Sequence, residues 1–262
     1  MATATRLRQP LDPAEARAYV DALYGRVRER WEIKVSGGEF MTLLGCGELP
    51  LDAVRIFFRN FGAWTIEINT LVAATYQKHL PFFRRHRDLM GPFGAKIAEE
   101  FTHPQPPGHV MVTLQTARAL GIPEEAIYVE PFLSTFRAKL DFNRSLFYEG
   151  TMAEWYATLT TEEMIGYWSV DFRRALATHY GFGDEALVYF RTHIEADLDE
   201  HDGAMGHGTF NRTVLQRLLE DGAAEERTGY GIDYCAMTSV DLHAQMLRAA
   251  LDHYREQADA AR

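Results

Sequence analysis

All ten prolines of the chain lie at or before Pro131, so everything from residue 132 to residue 262 is open to unbroken helix. The glycines of that half, among them Gly181, Gly183 and Gly222, fall where helices would end. No segment alternates apolar and polar residues for long enough to suggest a strand, so the expected class is all-α. Near the start, Asp12-Pro13-Ala14-Glu15 places a capping carboxylate, a proline at the first helical position and a glutamate three residues past the cap. This pattern starts a helix expected to run to about Trp31.

Residues 51–79 carry apolar side chains on more than one face, through Phe57, Phe58, Phe61, Trp64, Ile68, Leu71 and Val72, and are too long for a strand. They predict a central, buried helix. Further helices are expected over 82–102, 109–120, 130–159, 162–179, 184–220 and 236–257, with Thr160 and Glu163 as a capping box for the one at 162–179. The pattern predicts a single domain over 1–262, a bundle of seven to nine helices around an apolar interior.

Composition excludes several classes of function. A formal net charge of -10 repels nucleic acid and anionic membrane surfaces. The densest basic run, Arg84-Arg85-His86-Arg87, reads as the solvated end of a helix after Pro81. No stretch approaches the roughly 18 apolar residues of a membrane span, and residues 1–10 lack the apolar centre of a signal peptide, so a cytoplasmic protein is expected. Cys46 and Cys235 stand apart and read as two free thiols, which leaves no cysteine-based zinc or iron–sulfur site within this chain.

Chemistry concentrates in the run His193-Ile-Glu-Ala-Asp-Leu-Asp-Glu-His201. At about 100° per residue, Asp197 lies roughly 40° from His193, Glu200 roughly −20° and His201 roughly 80°, all on one helix face. Burying two imidazoles and two carboxylates is costly unless a divalent cation neutralises them; with Glu195, Asp199 and Asp202 in the same segment, a solvated acidic face is the competing reading. Other acidic and imidazole groups occur upstream. Glu99, Glu100, His103 and His109 surround a Pro-rich turn, and Glu149 lies between Leu146, Phe147 and Met152 in an apolar stretch. Glu67, on the central helix, is either a support or substrate contact, or a carboxylate satisfied by a neighbouring Tyr or Arg. His79, His86, His179, His207, His243 and His253 have no partner at ligand spacing and read as surface or helix-end residues.

Over about residues 45–205, the order and spacing of these elements resembles the haem-oxygenase-like diiron oxidases. Within that family, Glu149-Gly-Thr-Met-Ala-Glu-Trp155 and the Phe-Gly-Ala-Trp of the helix before it look similar to the alkene-forming fatty-acid decarboxylase. The resemblance implies Glu100, His109, Glu149, His193 and Asp197 as metal ligands, Glu149 also with a catalytic role and Glu67 beside it. Glu99 and His103 are alternatives to Glu100 and His109. The family's last histidine falls at Glu200, with His201 one place further on, so either residue completes the set: Glu200 directly, or His201 through a π-bulge.

The resemblance further implies two Fe(2+) per chain, manganese being an alternative at one site, with O2 as cosubstrate and an external reductant. The substrate would be a small organic molecule, a carboxylic acid with an apolar tail or an amino-acid derivative, undergoing desaturation, oxidative C–C cleavage or N-oxygenation. A homodimer is one possible assembly. The competing function classes are a metal-free relative, similar to pyrroloquinoline quinone synthase or thiaminase II, and a non-catalytic helical binding protein.

Overall fold

A computed structural model describes residues 9–198, 205–223 and 230–262. These residues are helical throughout, with no strand among them, and form twelve α-helices, more than the seven to nine expected. The excess arises where single long helices break. Residues 82–102 divide into α4 (Leu80–Arg85) and α5 (Met90–Thr102), parted by a 3-10 turn, and 130–159 into α7 (Ser134–Glu149) and α8 (Met152–Thr158). The second break has a local cause: Thr151 accepts from the Glu154 amide and Glu154 from the Thr151 amide, a capping box that starts a new helix. The capping box expected at Thr160 and Glu163 does not form; Glu163 instead pairs with Arg212, and Leu159 caps α9 (Thr160–Tyr180) without a side-chain bond.

Elsewhere the agreement is partial: a short helix over 39–45 is not expected from the sequence, and residues 184–220, expected as one helix, hold two. Asp12 accepts from the amides of Ala14 and Glu15, opening α1 (Pro13–Trp31), which a π-helical turn extends to Ser36. After the short α2 (Glu39–Gly45), α3 (Leu51–Lys78) is the central helix, and α6 (His109–Ala119) follows the Pro-rich turn. Gly181 takes a left-handed φ of 74° and ends α9. Residues 184–220 hold α10 (Val188–Leu198) and α11 (His207–Glu220), and α12 (Gly231–Ala260) closes the chain.

The buried apolar side chains form one cluster to which all twelve helices contribute, and it includes a stack of rings on α3, α9 and α10. Phe57 and Phe61 stack at 5.2 Å, and Phe172 and Phe190 at 4.8 Å. Around this stack α10 packs on α9 and α6, and α12 on α8, α3 and α7. Among the described residues no helix is long and apolar enough to cross a membrane. Cys46 is exposed and Cys235 buried, with no disulfide between them. Arg85 and His86, from the basic run, both pair with Asp221 at the end of α11.

Candidate metal centre

Five helices bring ionisable groups to one buried place. Each does so through the same helical arithmetic, since residues four apart share a face. Lys96 and Glu100 lie four apart on α5, His193 and Asp197 on α10, His207 and Asn211 on α11; His109 is the first residue of α6, and Glu162 lies in the first turn of α9. Two close approaches fix them. Gly108 has a φ of 70°, and a Cβ there would stand 2.2 Å from the Glu100 carbonyl oxygen, so only glycine lets α6 start against α5. A Cβ on Gly166 would meet Leu198 Cγ at 2.7 Å and Asp197 Cβ at 3.0 Å, so glycine at this position lets α10 lie on α9.

The contacts are ionic and short. His109 Nδ1 is 3.0 Å from Glu100 Oε2. His207 is bracketed, its Nε2 2.8 Å from Glu99 Oε2 and its Nδ1 3.3 Å from Asp197 Oδ1. Lys96 Nζ pairs with Glu162 Oε2 and lies 3.3 Å from the Asn211 amide oxygen, while the Asn211 amide nitrogen donates to Glu162 at 2.8 Å. His193 Nδ1 is 2.9 Å from the Tyr189 carbonyl oxygen, which can only accept, so Nδ1 carries the proton and Nε2 is left with its lone pair. The rings of His109 and His193 are 4.8 Å apart, and His109 Nε2 is buried without a hydrogen-bond partner among the described residues. Ligand atoms of Glu162, Asp197 and His207 all lie within 4.8 Å of one another.

Burial and charge set the protonation states. Burial pushes the Glu100 carboxyl up, but His109 and His207 outweigh it and hold the group well below the usual carboxylate range. Burial, then the neighbouring His109, pulls His193 down to about 3, so its imidazole is neutral. Burial raises Asp197 to about 6 against the pull of His207. His207 rises to about 10: burial and Lys96 oppose its charge, and Asp197 and Glu99 more than restore it.

Four residues expected as ligands, Glu100, His109, His193 and Asp197, meet here, all buried. Two expectations fail. Glu149 is exposed at the last position of α7, because the break at Gly150 ends the helix there, and Glu162 of α9 supplies the carboxylate in its stead. Glu67 pairs with Arg144 at the half-buried edge of α3, the satisfied-carboxylate alternative, and does not reach the cluster. Glu200 and His201 lie outside the described residues. His103 caps the end of α5, and Glu99 contributes through His207.

His207, expected as a surface or helix-end residue without a partner, does begin α11 but is buried in the cluster, a contact the sequence did not predict. A signal was present, since His207 and Asn211 head the stripe completed by Val214, Leu215 and Leu218 on the buried face of α11. His243 was misread in the same way; it is buried against Trp31 at 4.6 Å. Beside the cluster is a cavity of about 50 Å³, bounded by Glu100, Glu162, His193, Asp197 and His207 and by Trp64, Asn69 and Asn143. Comparison with protein-family models and with curated proteins finds no match to this chain.

Proposed function

We propose that this protein is a metal-dependent oxidase that holds two ferrous ions in a bundle of the haem-oxygenase-like type and uses O2 to oxidise a small organic substrate. One observation carries the reading: three carboxylates and three imidazoles converge in the interior of the bundle, and His109 Nε2 has no hydrogen-bond partner there among the described residues. Glu100, Glu162, Asp197, His109, His193 and His207 would hold the ions, a mixed oxygen and nitrogen set suited to iron or manganese. Iron, when bound, supplies the electrons that reduce O2, and an external reductant restores them.

The chain's own part is positioning. The Tyr189 carbonyl fixes the tautomer of His193 and keeps Nε2 open, as backbone acceptors do for metal-bound histidines. Glu99 orients His207, and Lys96 with Asn211 orients Glu162. Trp64, Tyr189 and Ile165 keep bulk water from the cavity.

Protein produced with ferrous iron should carry close to two equivalents per chain, lose most of it as His109→Ala or His193→Ala, and consume O2 once reduced. Background metal content in the parent protein would overturn the proposal. A metal-free reading, as a binding protein or as an enzyme of the pyrroloquinoline quinone synthase or thiaminase II type, is favoured by a different observation: Lys96 on Glu162 and His207 between Glu99 and Asp197 already neutralise the carboxylates. Full thermal stability and specific ligand binding without metal would support it.

A further inference from the structure

The cavity has a second kind of wall, free of charge. Its threonines spend their hydroxyl protons on nearby backbone carbonyls: Thr65 donates to the Phe61 carbonyl at 2.9 Å, Thr158 to Trp155 at 2.8 Å and Thr161, from α9, to Thr158 at the end of α8 at 2.9 Å. Three other lining groups do not. Trp64 Nε1, Asn69 Nδ2 and Asn143 Oδ1 have no hydrogen-bond partner among the described residues, although their residues are only 5%, 5% and 3% exposed. Buried polar atoms are paired almost without exception in native proteins, so three orphans around one cavity mark a place for a missing partner. Two of the three are N–H donors. What they require is an acceptor, and what Asn143 requires is a donor beside it.

We infer that Trp64, Asn69 and Asn143 form a recognition wall for a small carboxamide next to the carboxylate–imidazole cluster: the Trp64 and Asn69 N–H groups donate to its carbonyl oxygen, and Asn143 Oδ1 accepts from its N–H. Trp64 and Asn69 both lie on α3, which places their donors within the bounds of the same cavity, and Asn143 reaches it from α7. Lys139, one helical turn before Asn143, has its Nζ 5.3 Å from the Trp64 ring centre. The cavity is small, about 50 Å³, and suits a small headgroup rather than a long acyl chain. The inference deepens the oxidase reading by naming the substrate's anchoring group, and rests on that reading only for what happens to the bound molecule.

Propionamide, propionate and propylamine, titrated calorimetrically into the parent protein, into Trp64→Phe and into Asn69→Leu, test it, with iron content measured on the same samples. The amide should bind, the acid should bind more weakly because its ionised form has no N–H for Asn143 Oδ1, and the amine, which offers no carbonyl, should not bind. Trp64→Phe keeps the ring and removes only the donor, and each variant should weaken binding about tenfold, the scale of one hydrogen bond, without changing iron content. Equal binding of the three probes, no binding of any, or folded variants that bind like the parent would overturn the inference, leaving water as the partner of the orphaned atoms. Discrimination without iron would sink the oxidase reading alone; iron without discrimination would sink only this one. Should a variant fail to fold, the comparison of probes on the parent still decides.

Discussion

Glu162 and Lys96 form the most consequential pair of side chains in the interior. Both are largely buried, and breaking such a pair by removing one partner costs about 3–5 kcal/mol, because a charge is left in a poorly solvating place. Lys96→Met should therefore lower the melting temperature without metal, while Fe(2+) or Mn(2+) should raise it further than in the parent, since the ion then takes over the role of Lys96. A smaller metal-induced shift in the variant would show that Glu162 is no ligand. A second comparison separates true from apparent site residues. Glu149→Gln and Glu67→Gln alter an exposed residue and an edge ion pair, and should leave iron content unchanged. Glu162→Ala and His207→Ala should each reduce iron content severalfold or more, and retention of full iron by both would remove them from the ligand set. Glu149 looked buried because Leu146, Phe147 and Met152 surround it in sequence. The direction of its side chain depended on where α7 stopped, which apolar content alone does not fix.

At the scale of elements, the site depends on how closely helices approach. Gly166→Ala should push Leu198 and Asp197 away from α9 by a few tenths of an ångström, at a cost of about 1–3 kcal/mol for overpacking. Helix content by circular dichroism should stay at the parent level while metal affinity falls tenfold or more; unchanged affinity would mean that α10 has slack at this crossing. Helix starts were legible wherever the capping residues were unambiguous, as at Asp12 and Glu15. They were misread between 150 and 163 because Thr151 with Glu154 and Thr160 with Glu163 share the same pattern. The tertiary partner decided: Arg212 claims Glu163, whereas Glu154 stays with its cap.

For the molecule as a whole, Lys139 is the exposed flank of stability in a buried place. It is fully enclosed, its Nζ donates to the Ser239 carbonyl at 3.0 Å, and burial lowers it from 10.5 to about 7. Between those two values the unfolded chain binds the proton and the folded chain does not, so this group makes folding more favourable as pH rises from about 7 towards 10.5. His207, raised to about 10, acts in the opposite direction across much of the same window, but it is common to parent and variant. Subtracting the unfolding free energy of Lys139→Met from that of the parent should thus give a difference that increases between pH 7 and pH 9 in urea titrations. A flat difference would mean that Lys139 keeps its proton in the folded state.

The sequence by itself determined the all-α class, the central helix α3 and the placing of His193 and Asp197 on one helix face, which follow from local rules: proline placement, caps and residues four apart. Glu100 and His109, with Glu99 and His103 as alternatives, were implied only by the family resemblance. Only the tertiary structure decided that Glu162 and His207 join them and that Glu149 and Glu67 do not. These choices depend on which helices meet, on glycines at their crossings, and on competition among Lys96, Arg144 and Arg212 for carboxylates far away in sequence. Such pairings leave no trace in any single helical repeat.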